Sequence, residues 1–217
     1  MPAGMPRLRF PFVYLLVLAI FGTAALPAQS TSASARSRGR ADAPVTVYEM
    51  SDFQCPYCRQ FTIDALPSIE RDFIQTGKVR WIFVAYPLVR LHKNAIAAAE
   101  FALCAARQGR FWEIHDLLFR HQPEWAELDA PAPVFRALAD SAHADRASLT
   151  ACADAHATRT EVDDQLQMSQ RAGAQATPSF WIEGGILEGA VPYPIFKQVL
   201  DSIYLAKTAP HRPAPTH

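Results

Sequence analysis

Residues 45–58 read Val45-Thr46-Val47-Tyr48-Glu49-Met50-Ser51-Asp52-Phe53-Gln54-Cys55-Pro56-Tyr57-Cys58. The first half is rich in valine, threonine and tyrosine, which predicts a β-strand over 44–50. Ser51 to Gln54 is then a loop. Two cysteines follow with two residues between them, and Pro56 stands where a helix starts at no cost in hydrogen bonds. Thiols so spaced at a helix mouth can close a reversible disulfide.

Downstream, Phe61, Ile63, Leu66, Ile69 and Phe73 keep near-helical spacing, with a kink expected at Pro67 and an end at Gly77. Val79 to Tyr86 is a mostly apolar run and predicts a central strand closed by Pro87. From His92 to Phe119 the chain turns rich in alanine and leucine. Helices are expected at about 94–107 and 111–120, then a short one over 131–138 and a long one over 149–171. Residues 179–182 and 186–188 read as paired strands around a hairpin turn at Glu183-Gly184-Gly185. A helix over 193–205 closes the fold, and the proline-rich tail 206–217 is expected to be disordered. The order β–α–β–helices–β–β–α gives an α/β fold of thioredoxin arrangement. Its helical insertion, about 90–172, falls between the second and third strands.

The chain has 217 residues, half of them hydrophobic, and a formal net charge of zero. That suffices for one sizeable core. No basic stripe with interleaved aromatics forms, which argues against nucleic acid. At the N-terminus Arg7 and Arg9 precede an apolar run from Phe10 to Leu26. Ala24, Ala25 and Ala28 follow as small residues. The pattern is that of a secretory signal over 1–28, with a retained anchor or a buried helix as the other readings. Residues 29–42 are expected to be a flexible linker to a domain spanning 43–205. Export places the protein in the periplasm or cell envelope, where all four cysteines (Cys55, Cys58, Cys104 and Cys152) can be oxidised. Three pairings are possible. The local pair makes 55–58 with 104–152 the economical one. Cys104 and Cys152 are then read as a structural disulfide, with two free thiols or a second redox relay as the alternatives.

The Cys55–Cys58 pair has two competing readings beside redox chemistry: a static bridge, or half of a metal site. A zinc site needs a second ligand pair at suitable spacing, which neither the other cysteines nor His92 and His115 provide. No metal and no cofactor is expected. Cys55 meets orphan N–H groups at the helix start, which favour its thiolate. Cys58, one turn on, resolves mixed disulfides. Thr177-Pro178 precedes a strand and is a candidate cis peptide. Its backbone groups would pair with an extended substrate, the bland reading being an ordinary trans proline. Glu49 is either a solvated strand residue or a buried acid able to move a proton to or from Cys58. Asp52 is a surface loop acid, a helix cap or a steering charge. His92 reads as a surface residue at a helix start. Phe53, Tyr57, Pro87 and Trp181 are candidates for an apolar patch.

Taken together, 47–58, the stretches 99–104 and 109–119, and Gly173-Ala174-Gln175-Ala176-Thr177-Pro178-Ser179-Phe180 resemble the DsbA-like branch of the thioredoxin-fold disulfide oxidoreductases. The likeness covers about 43–205. It implies that Cys55 is the exposed nucleophile and Cys58 the buried resolving thiol. It also implies that Thr177 and cis-Pro178 flank the site, that Glu49 lies beneath the cysteines, and that Cys104 and Cys152 form an extra bridge. It implies a monomer that gives disulfides to exported proteins with reduced cysteines and is reoxidised by a membrane quinone-linked thiol oxidase. A reductase or isomerase fed by a membrane reductant, or a client-binding chaperone, would use the same fold. Tyr57 stands where the strongest oxidants carry histidine.

Overall fold

The computed structural model describes Met1 and residues 33–209. The expected signal segment and most of the expected tail lie outside the described residues. Five strands form one sheet in the order β1-β3-β2-β4-β5, where β1 is Ser37–Arg38, β2 Val45–Ser51, β3 Val79–Ala85, β4 Ser179–Ile182 and β5 Gly185–Glu188. β2 and β3 are parallel, so a crossover must join them. It consists of α1 (Pro56–Asp64), α2 (Leu66–Ile69) and a π-helical turn over Glu70–Ile74. β4 runs antiparallel to β2, and β5 to β4. The hairpin turn is the tight two-residue kind, with Glu183 and Gly184 at φ 48° and 92°.

Alternation on β2 sorts its side chains. Val47, Glu49 and Ser51 share one face, and Tyr48 and Met50 the other. On the Val47 face an aromatic cluster binds crossover, sheet and closing helix. Phe61 lies 4.5 Å from Phe180 and 5.6 Å from Phe196, ring centroid to centroid. That closing helix is α9, Tyr193–Thr208.

Between β3 and β4 lie the inserted helices: α3 (Ala95–Ala106), α4 (Phe111–Arg120), α5 (Gln122–Trp125), α6 (Ala132–Ser141), α7 (Arg146–Asp154) and α8 (Arg159–Arg171). Alanines on α3 let its neighbours approach closely, so nearly the whole helix is buried. Phe83 of β3, Phe53, and Phe111, Ile114, Leu118 and Phe119 of α4 join the insertion to the sheet in one core.

Four expectations need correction. Residues 33–38 are no tether: Ala33–Arg36 is a 3-10 turn, and Ser37–Arg38 is the edge strand on β3. Arg36 is buried and donates to the Phe83 carbonyl. A Cβ on Gly39 (φ 88°) would lie 2.4 Å from the Val79 oxygen, so this close approach requires glycine. The helix expected over 149–171 is two helices, broken at Ala155–Thr158, where His156 takes φ 49° and the buried Thr158 hydroxyl donates to the Glu100 carbonyl at 3.1 Å. The crossover helix breaks at Ala65, two residues before Pro67, because Pro67 has no N–H to offer the turn above it. The closing helix runs to Thr208, three residues into the expected tail.

Candidate active site

Cys55 is the N-cap residue of α1, with extended backbone (φ −70°, ψ 125°), and Pro56 follows at the first helical position. The loop before it is held by side chains of the insertion. Gln122 Nε2 donates to the carbonyls of Phe53 (2.7 Å) and Cys55 (3.0 Å). Gln54 donates to the Ala126 carbonyl at 2.6 Å and accepts from the Asn94 N–H at 2.6 Å. Asp52 is buried. Its carboxylate accepts from the Gln54 and Leu88 N–H groups, both at 2.8 Å, and meets His92 Nδ1 at 2.7 Å. Asp52 is therefore an internal anchor of the loop, neither a surface acid nor a helix cap. His92 is its partner rather than a free surface group. Gln54, Asn94 and Gln122 carry no signal in the sequence, since lone polar residues in loop and helix patterns look solvated.

Cys55 and Cys58 are both free thiols. Cys55, expected to be exposed, is instead buried, with 4% of its surface open, and Cys58 is buried completely. Their surroundings pull them apart. The Cys58 thiol donates to Cys55 and brings its pKa down to about 6, against the burial that opposes it. The Thr177 hydroxyl and the N–H groups of Cys58 and Tyr57 add to the lowering. Cys58 is pushed well above the ordinary thiol value, first by burial and then by the Cys55 sulfur. The Ser51 hydroxyl and the Asp52 N–H, 3.5 Å from Cys58 Sγ, act the other way.

Across from the pair, the Thr177–Pro178 peptide is cis, and the Thr177 carbonyl lies 3.4 Å from Cys55 Sγ. Glu49 faces inward and has no exposure. Its Oε2 accepts from Trp81 Nε1 at 2.8 Å. Burial raises its pKa, while His115, Trp81, Ser51 and Arg38 oppose the rise. Cys104 and Cys152 sit apart from this site. They are bonded at 2.02 Å and tie α3 to α7.

The apolar patch differs from the expected set. Phe53 and Pro87 are buried and Trp181 is partly so, which leaves Tyr57. Val89 and Leu91, on the loop tied to Asp52, are exposed as well. Exposed Leu128 lies beyond the Ala126 carbonyl that holds Gln54.

The thioredoxin family profile matches residues 31–202. This chain belongs to the thioredoxin family. Disulfide bond formation protein D of Bacillus subtilis is 27% identical over 164 residues, covering 75% of this chain and 74% of that protein. A Na(+)/H(+) antiporter, NhaA 3 of Salinispora tropica, is 46% identical over 92 residues, which is 42% of this chain and 14% of the antiporter's length. Among solved structures, oxidised BdbD from Bacillus subtilis superposes with a TM-score of 0.72 at 27% identity, covering 80% of this chain and 95% of that one. In fold the chain stands with the DsbA-like proteins. Among the described residues no helix is long and apolar enough to cross a membrane.

Proposed function

We propose that this protein is a thiol:disulfide oxidoreductase that gives the Cys55–Cys58 disulfide to exported envelope proteins bearing reduced cysteines. The observation that carries this reading is the opposite displacement of the two thiols, Cys55 down to about 6 and Cys58 up. A disulfide whose leaving sulfur is a stabilised thiolate is a good oxidant. The relatives named for disulfide bond formation support the reaction class.

A substrate thiolate attacks Cys55 Sγ, a mixed disulfide forms, and the Cys55–Cys58 bond breaks. Cys58 leaves as a thiolate and takes the proton of the Glu49 carboxyl. A second substrate thiolate attacks the substrate sulfur of the mixed disulfide. The substrate bridge closes and Cys55 departs as a thiolate, so two electrons stay on the enzyme. Thr177 and Pro178 hold the substrate backbone beside Cys55 Sγ. Tyr57, Val89, Leu91 and Leu128 offer apolar contact for unfolded segments. The enzyme acts as a monomer in the periplasm or envelope, and a membrane quinone-linked thiol oxidase takes the electrons.

The equilibrium reduction potential of Cys55–Cys58 tests the direction. A value near about −120 mV agrees with donation, whereas one near about −270 mV overturns it and makes the protein a reductase. A Cys55→Ala protein that keeps full activity on a reduced client would overturn the enzyme reading itself.

A further inference from the structure

Asp52 meets both cysteines through its backbone. Its carbonyl accepts the Cys55 N–H at 3.0 Å, and its own N–H lies 3.5 Å from Cys58 Sγ. Its side chain has no exposure and takes three donors: the Gln54 and Leu88 N–H groups, both at 2.8 Å, and His92 Nδ1 at 2.7 Å. A buried carboxylate in the residue that joins the two cysteines works against a thiolate on either, because like charges repel. Two backbone N–H groups soften that charge without cancelling it. Among the three donors only the imidazole ring can carry a full positive charge.

His92 is held for this contact. Its N–H donates to the Leu88 carbonyl at 3.0 Å, and its carbonyl accepts the Ala95 N–H at 3.3 Å. Leu91 and Lys93 on either side are exposed, yet the His92 side chain is 17% exposed. The hydrogen bond to Asp52 raises the His92 pKa above the ordinary histidine value, and burial opposes the rise. The charges of Asp52, Cys55 and Glu127 add to it. These are the groups that act on the ring, from the loop after β2, the start of α1 and the segment after α5. Lys93, the next residue, is bound to Asp129 at 2.9 Å. Interaction free energies are mutual. A Cys55 thiolate that helps His92 keep its proton is favoured to the same extent by the imidazolium.

We propose that His92 is a positioning residue for disulfide exchange: as imidazolium it cancels the Asp52 charge beside the two cysteines and so sustains Cys55 as the leaving thiolate. The proposal rests on the oxidoreductase reading above. His92 touches no reacting atom and acts through Asp52. In the oxidised protein the two sulfurs are bonded and neutral, and the imidazolium balances Asp52 alone. When Cys55 departs as a thiolate the site gains a negative charge, and His92 then holds its proton more tightly. The cation is already in place when that charge develops, so no group has to reorient to meet it. A bond that only closed the loop over 88–94 would need an N–H donor and no charge. The share of oxidising strength that His92 supplies should therefore fall as pH rises through its titration.

The test follows the His92 ring signals by NMR in the whole protein as pH is varied, oxidised with glutathione disulfide or reduced with dithiothreitol, and needs no client. His92 should bind its proton about fivefold more tightly in the reduced form. Equal titration in the two forms overturns the proposal, whether or not the protein oxidises clients. A redox-linked difference in a protein that oxidises no reduced client keeps the coupling and sinks the functional reading instead. A second measurement uses His92→Asn, which offers Asp52 an N–H without a charge. Its equilibrium with glutathione at pH 7 should move about fivefold toward the disulfide form, or about 20 mV. That shift should shrink toward alkaline pH, where the wild-type imidazole has lost its proton. No shift at pH 7, or one of the same size at every pH, overturns the proposal. Should His92→Asn fail to fold, the titration of the wild type in its two redox forms decides alone.

Discussion

Cys58 and Cys104 are equally hidden, 0% and 1% exposed, yet one is a free thiol and the other is bonded. Burial therefore does not decide what a cysteine does here. What decides is the polar company. Around Cys55 and Cys58 the chain collects a helix start, the Thr177 hydroxyl and carbonyl, Ser51 and the Asp52 N–H. These favour charge on one sulfur and a proton on the other. Cys104 sits in the alanine-rich core of α3, and its polar neighbour is the Thr158 hydroxyl at 3.8 Å. Cys152 lies at the rim, 3.7 Å from an Arg107 nitrogen. That bond joins cysteines 48 residues apart in sequence, on two different helices.

The comparison breaks most directly by exchanging losses. Removing both sulfurs of the insertion, as Cys104→Ser with Cys152→Ser, should lower unfolding free energy by about 3 kcal/mol through the freed loop. Chemical denaturation reads this, and the Cys55–Cys58 potential should stay unchanged. Cys55→Ser should do the reverse, leaving the denaturation midpoint of the reduced protein nearly unmoved at acidic pH and removing all exchange. A shift in the Cys55–Cys58 potential on loss of the remote bridge would show that the two pairs are coupled.

The pH dependence sharpens the same contrast. A thiol lowered in the folded state stabilises that state above its unfolded pKa, and the gain fades as pH falls through the folded value. For Cys55 that window runs from about 9 down to about 6. Reduced protein should therefore gain stability over Cys55→Ser by about 1–2 kcal/mol at pH 7 and more toward pH 9, with the gain gone near pH 5. Cys58, raised in the folded state, acts the other way, but only toward pH 9, where its unfolded form begins to ionise. Paired denaturation curves at pH 5, 7 and 9 measure the gain, and a flat difference would refute the lowered Cys55 value.

How much of this was legible follows from which forces leave a local trace. Strand composition before Cys55, Pro56 at the helix start and the order of apolar runs all act within a few residues, and from them the sheet, the crossover and the insertion can be read. Residues 33–42 mislead because their small polar composition mimics a linker. Pairing with β3 and burial of Arg36 give them structure, and both partners lie some forty residues away. The break at 155–158 depends on a tertiary bond from Thr158 to Glu100 that no periodicity reveals. His115 is harder still. On an apolar helix face a histidine reads as core, and its burial among Phe53, Phe83 and Phe119 shows only in the folded chain. Asp52 and His92 mislead in the same way, because their mutual bond joins two loops.

Thr177 tests the smallest share of the contrast. Its hydroxyl acts on the Cys55 sulfur, whereas its carbonyl and the cis peptide that follows belong to the backbone. Valine keeps the branched shape and removes only the hydroxyl. Thr177→Val should therefore raise the Cys55 pKa from about 6 while leaving Cys104–Cys152 and the fold untouched. Iodoacetamide alkylation of the reduced protein at pH 6 should slow by about threefold, and the difference should vanish at pH 9, where the thiolate is complete in both. A rate deficit that persists at pH 9 would mean that valine blocks access to the sulfur, and the hydroxyl would then have no part in separating the two cysteine pairs.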